Sequence, residues 1–191
     1  MMIVIFNGWS LAMTELTLTR EQKIAAWEAA AAQMRQRLAE PGVVSRQELR
    51  GKTPQEFFDG IGAGELPAPP INALIGFVPL EWGQGHFVFQ GTPDMRHYNP
   101  LGTVHGGYAA TLLDSAMGCA VHTMLEPGLG YTTTDLRISY IRALTRDTGP
   151  IRAEGTLVHI GRSTALAEGR LYDVDGRLYA TGSTTCLILG R

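Results

Sequence analysis

Asn99, His105, Gly106, Gly107 and Asp114 are the residues of this chain whose types and spacing could do chemistry. Asp114 is an acid among small and apolar neighbours, and a carboxylate so placed can attack a carbonyl or draw a proton from water. Gly106 and Gly107 stand where a helix is expected to begin. The first amide N–H groups of a helix have no intrahelical partner and lie at the positive end of its dipole. Glycine there lets a ligand approach the backbone closely. Such an end can bind an anion, or hold a carbonyl oxygen that becomes anionic during a reaction. His105 precedes it and can orient either the loop or the bound group.

The element that positions these groups is a helix predicted over 106–122. Ala109, Leu112, Leu113, Ala116, Met117 and Ala120 recur at three- and four-residue intervals, which gives one face to a core. Gly107, Thr111, Asp114 and Gly118 form a second, small and polar face. Eight residues separate Gly106 from Asp114. At about 1.5 Å per residue that is roughly 12 Å, too far for one carbonyl to be held by the amide and attacked by the acid. If both groups act on one substrate, the acid comes from a second copy of the chain. A two-fold dimer with antiparallel helices provides it.

The ordered pattern of Asn99, five residues, His105-Gly106-Gly107, six residues and Asp114 resembles the hot-dog-fold acyl-CoA thioesterases of the phenylacetate-degradation-related type. The similarity extends over residues 74–189. It implies that Gly106 N–H polarises the thioester carbonyl, that Asn99 positions the substrate, and that Asp114 of the facing subunit is nucleophile or general base. It further implies a hydroxyl residue two before the acid of the next strand, here Thr133. Thr132 and Thr134 compete for that role, and strand alternation alone does not choose among the three. The resemblance also implies a homodimer that assembles to a homotetramer, with the site shared across the dimer interface. An acyl-CoA is then the substrate and no further cofactor is called for.

Coenzyme A phosphates need cations or backbone donors. Relatives place a basic or glycine-rich turn near the nucleotide, which here points to Gly161, Arg162 and Ser163, together with Gly107. Arg142 and Arg137 are weaker candidates. Tyr108, His86 and Met117 are candidates to line an acyl pocket, with Met117 better explained as core. Hot-dog hydratases act on similar thioesters but place their acid and histidine otherwise. A non-catalytic acyl-CoA-binding module is the rival of another class, and it predicts stabilisation by ligand without hydrolysis.

Composition narrows the field further. The 191 residues suit one folded core with an added segment. Sixteen Lys and Arg against 18 Asp and Glu leave a net charge of −2 and no basic tract, so nothing supports nucleic-acid binding. Cys119 and Cys186 lack metal or redox spacing and read as buried free thiols of a reducing, cytoplasmic compartment. No metal is expected, since no pair of His with an acid stands at zinc-ligand spacing. A Gly-x-Ser-x-Gly elbow, a Walker loop and a dinucleotide fingerprint are all missing.

Residues 1–70 read as an N-terminal extension and 71–191 as the hot-dog domain. The apolar run 2–6 is too short to span a membrane. It fits either an edge strand or a mis-assigned start, with Met13 as initiator. Thr19 with Gln22 forms a capping box ahead of a helix whose face carries Ile24, Trp27, Ala31, Met34 and Leu38. Pro41-Gly42 stops it. A second helix starts at Thr53-Pro54, anchored by Phe57, Phe58 and Ile61, and an extended stretch follows over 65–70. This extension is expected to cover the core or its pocket. Strands are expected over 74–78 and 85–91, then 131–141, 151–160, 163–174 and 177–189, with Asp175-Gly176 as a hairpin turn. The fold class is therefore α+β: a curved antiparallel sheet wrapped around one long central helix, with extra N-terminal helices.

Overall fold

The computed structural model describes residues 18–190; the run 2–6 and Met13 lie outside them. Helix α1 (Arg20–Arg37) opens with the expected capping box, in which Thr19 N–H donates to Gln22 Oε1 at 2.8 Å and Gln22 N–H donates to Thr19 Oγ1. It ends at Leu38, whose backbone is extended, ahead of Pro41-Gly42. A single turn, α2 (Arg46–Leu49), follows under a Ser45 cap. Helix α3 (Pro54–Gly62) starts with Thr53 as cap and Pro54 at its first position, as the sequence predicts.

The stretch 74–78 does not form one strand. Pro70 starts a short helix, α4 (Pro70–Ile75), and Gly76 ends it in the left-handed conformation at φ 80°. Strand β1 (Phe77–Gly83) begins only after that glycine. The remaining strands are β2 (His86–Gly91), β3 (Gly130–Tyr140), β4 (Ile151–Ile160), β5 (Thr164–Asp173) and β6 (Leu178–Leu189). They form one antiparallel sheet in the order β1-β2-β4-β5-β6-β3. Pro79 is tolerated because β1 is an edge, where a missing N–H breaks no ladder.

Helix α5 (Gly106–His122) lies in the concave face of this sheet, which is the hot-dog arrangement. Leu112, Leu113, Ala116, Met117 and Ala120 are fully buried against it. The approach is close because Gly155 pairs with Gly169 and Gly169 with Gly182, so three adjacent strands present glycine under the helix. A Cβ at Gly155 would lie 2.3 Å from the Ala116 carbonyl oxygen. On the opposite face, α1 sets Ala31 and Met34 against Val78, and the Arg152 guanidinium stands 4.0 Å from the Trp27 ring centroid. Among the described residues no helix is long and apolar enough to cross a membrane, and no group of three or more His, Cys, Asp or Glu could hold a metal ion.

Candidate active site

The start of α5 is built by the loop before it. Val104 N–H donates to the Leu144 carbonyl at 2.9 Å and His105 N–H to the His97 carbonyl at 2.7 Å. His105 is then the helix cap: its Nδ1 accepts from Gly107 N–H at 2.9 Å. That leaves Gly106 N–H, at the first position of the helix, with no hydrogen bond among the described residues. Tyr140 Oη donates to the Gly106 carbonyl at 3.0 Å and fixes the following peptide, between Gly106 and Gly107. A cleft of about 360 Å³ opens here, lined in part by Asn99, His105, Gly106, Tyr140 and Arg142. The Asn99 side chain is engaged with its own loop. Its Oδ1 accepts from Leu101 N–H and its Nδ2 donates to Thr103 Oγ1, each at 2.8 Å. It thus shapes the turn that delivers His105 and Gly106, while lining the cleft they share.

Asp114 stands on the same helix but does not line that cleft. Its half-buried carboxylate faces β3, where Thr133 Oγ1 donates to Asp114 Oδ1 at 2.9 Å. The structure thereby separates the three threonines that the sequence could not. Thr132 is exposed, and Thr134 Oγ1 donates to the Thr185 carbonyl at 3.0 Å instead. The reason is a bulge, since the register between β3 and β6 slips between Thr133 and Asp135. An extra residue there re-phases the strand. Tyr131 and Thr133 face α5 before the bulge, and Ile138 and Tyr140 face it after. β3 is also the last strand of the sheet, with one edge unpaired among the described residues.

Further along α5 the surroundings become apolar. The Tyr131 hydroxyl packs over Gly118, where an added Cβ would lie 2.6 Å from it. Burial pushes the Cys119 thiol up to about 12 and the Tyr131 hydroxyl well above its ordinary range, and it pushes His122 down. All three groups are therefore neutral near pH 7, and Cys119 is no nucleophile. Phe57 and Phe58 of α3 pack against the His122 ring, the first tilted and the second edge-on. The sequence marks these phenylalanines as anchors of α3, but no local signal connects them with the helix carrying Asp114.

The other candidates fall elsewhere. His86 does not face this region: strand alternation turns Phe87 inward and His86 outward, where it meets Glu154 Oε1 at 3.3 Å. Tyr108 is buried beneath Gly91 and against the His97 ring, and Met117 is core. Gly161, Arg162 and Ser163 form the β4–β5 turn, with Arg162 and Ser163 exposed. The ladder runs that turn toward the C-terminal end of α5, away from the same chain's Gly106: Leu157 N–H donates to the Gly85 carbonyl, and Gly85 N–H donates to Thr123 Oγ1. Arg137 belongs to a polar hollow that also includes Glu154 and Arg170. Arg142 Nη1 donates to the Leu178 carbonyl beside the Gly106 cleft.

The Thioesterase superfamily model matches residues 101–180, which contain α5 and most of the sheet. The proofreading thioesterase EntH of Klebsiella pneumoniae is 31% identical over 97 residues, or 51% of this chain and 69% of the relative. EntH of Cronobacter turicensis is 26% identical over 128 residues, covering 65% of this chain and 92% of the relative. Among solved structures, a phenylacetic acid degradation-related protein from Ralstonia eutropha superposes with a TM-score of 0.63 at 28% identity. That alignment covers 69% of this chain and 98% of the other.

Proposed function

The chain belongs to the thioesterase superfamily, and on that premise we propose that it hydrolyses acyl-coenzyme A thioesters to the free acid and coenzyme A. The observation that carries the reading is the division of labour along α5. Its first residue presents an amide donor with no partner among the described residues, and its midpoint presents a carboxylate already oriented by Thr133. The thioester carbonyl oxygen accepts from Gly106 N–H, and the helix dipole stabilises the negative charge that grows on it. If both groups act on one substrate, the roughly 12 Å between them on one helix favours an acid supplied by a second subunit. The unpaired edge of β3, which adjoins Asp114 through Thr133, is where that subunit would add its own strand. Antiparallel α5 helices across the two-fold would also return each 161–163 turn toward the partner's Gly106 cleft, where Arg162 could meet coenzyme A phosphates. Two such dimers would make the tetramer that the family resemblance implies.

Either of two routes fits. In one, Asp114 attacks the carbonyl carbon, the C–S bond breaks, and the coenzyme A thiolate takes a proton from water. Water then cleaves the mixed anhydride and restores the carboxylate. In the other, Asp114 takes the proton from an attacking water, and the tetrahedral intermediate expels the thiolate. Both routes need an ionised Asp114. Asp114→Asn preserves shape and the Thr133 hydrogen bond, and it should lower thiol release by at least about 100-fold while acyl-CoA still binds. Full turnover in Asp114→Asn would discard this mechanism.

A further inference from the structure

An apolar cavity of about 220 Å³ lies beyond Asp114 along α5. Its walls include Phe57 and Phe58 of α3, Trp82 of β1, Cys119 and His122 of α5, and Tyr131 of β3. Its place relative to the reacting groups follows from two elements. Cys119 is five residues past Asp114, about 7.5 Å along the helix axis. Tyr131 is two residues before Thr133, on the same face of β3. The Asp114–Thr133 and Gly118–Tyr131 contacts are thus successive rungs between one helix and one strand, and the cavity is the next space in line.

We propose that this cavity receives the acyl group of the thioester attacked by the same chain's Asp114, and that α3 is the end wall that limits it to compact, uncharged acyl groups of about ring size. This rests on the thioesterase reading above. The walls are mostly rings and aliphatic carbon, and burial keeps His122, Tyr131 and Cys119 neutral, so the cavity suits an uncharged apolar group and not a phosphate. An apolar cavity of about 150 Å³ is enough to hold benzene. The space here therefore fits a ring with one or two linking carbons, whereas a long acyl chain meets Phe57 and Phe58. That wall comes from outside residues 101–180, the part of the chain that the superfamily model matches. Phe57 and Phe58 are specificity-determining residues on this view.

The test measures thiol release by the full chain from benzoyl-, phenylacetyl- and decanoyl-CoA, with Phe57→Ala and Phe58→Ala beside the wild type. Opening the end wall should raise the decanoyl-to-aryl ratio of kcat/KM by about tenfold or more, the scale on which pocket size discriminates substrates. Phe58 is buried and its truncation threatens folding, whereas Phe57 is half-buried, so Phe57→Ala carries the test alone if necessary. An unchanged ratio in a folded variant overturns the proposal. Should the wild type release no thiol from any of the three, the thioesterase reading fails, and the cavity is judged by thermal melting with neutral phenylacetamide. A rise in melting temperature that disappears in Cys119→Leu, where the larger side chain fills the space, upholds a compact apolar occupant. No rise in the wild type overturns it.

Discussion

At the scale of single residues, His105 and Gly106 divide one task. The histidine satisfies Gly107 N–H and so leaves Gly106 N–H as the free donor at the cleft. A ligand that reaches the helix start therefore finds one amide, whose own carbonyl, that of His105, accepts from Tyr108 N–H at 3.0 Å. This can be tested without adding a polar group. Proline is favoured at the first helical position because the N–H it lacks has no intrahelical partner there. His105 has φ −60° and ψ 135°, the extended conformation that a residue before proline prefers. The nearest atoms to the added Cβ belong to Tyr140, about 3.0 Å away, and that exposed side chain can shift by the few tenths of an ångström required. Gly106→Pro should fold with a melting temperature close to that of the wild type. It should still lose roughly 100- to 1,000-fold in kcat, the cost typical of deleting one oxyanion donor. Unimpaired thiol release from folded Gly106→Pro would remove the amide from the mechanism.

At the scale of elements, the position of α5 depends on the glycine row beneath it. Gly155 lets the helix backbone approach β4, while Gly169 and Gly182 leave room on β5 and β6 for the Leu113 and Met117 side chains, and this depth sets where Asp114 meets Thr133. Gly155→Ala puts a methyl group against a helix carbonyl that cannot turn away. It should cost about 2 kcal/mol by overpacking, which lowers melting by about 4–8 °C for a chain of this size. Gly83→Ala serves as control, since nothing lies within 4 Å of its Cβ position, and it should stay within about 0.5 kcal/mol of the wild type. Equal melting of the two variants would show that the helix does not sit where the glycines allow.

Much of this scale was legible in the sequence. The α5 stripe from Ala109 to Ala120, the Thr19 and Thr53 caps and the turn at Gly176 each follow from local chemistry, and each is present. What escaped depended on register and on contacts distant in sequence. The bulge at Thr134 leaves no local signal in a Thr-Thr-Thr run, yet it decides which hydroxyl reaches Asp114. The short helix α4 hid in an apolar stretch that is equally readable as strand until Gly76 ends it. Phe57 and Phe58 were visible as anchors, but their partner His122 lies more than sixty residues away.

For the whole molecule, the sheet ends on β3, whose outer edge is unpaired among the described residues, and Tyr140 and Ile141 at that end are exposed at 57% and 48%. In the proposed mechanism the reacting groups are split along one helix, so a single chain would hold half of each of two sites. This arrangement has a consequence that no single variant can show. Asp114→Asn and Gly106→Pro each inactivate both sites of their own homodimer. In a mixed dimer, the chain carrying Asp114→Asn still offers Gly106 N–H, and the chain carrying Gly106→Pro still offers Asp114. One site is then whole and the other doubly impaired. Random assortment of equal amounts makes half the dimers mixed, so thiol release should return to about one quarter of wild type under two-fold symmetry. Denaturing and refolding the two inactive proteins together, then assaying the mixture against each alone, makes the measurement. Recovery near that level places the amide and the acid of each site on different chains. A mixture as inactive as its components would return both groups to one chain and require α5 to meet its substrate in another way.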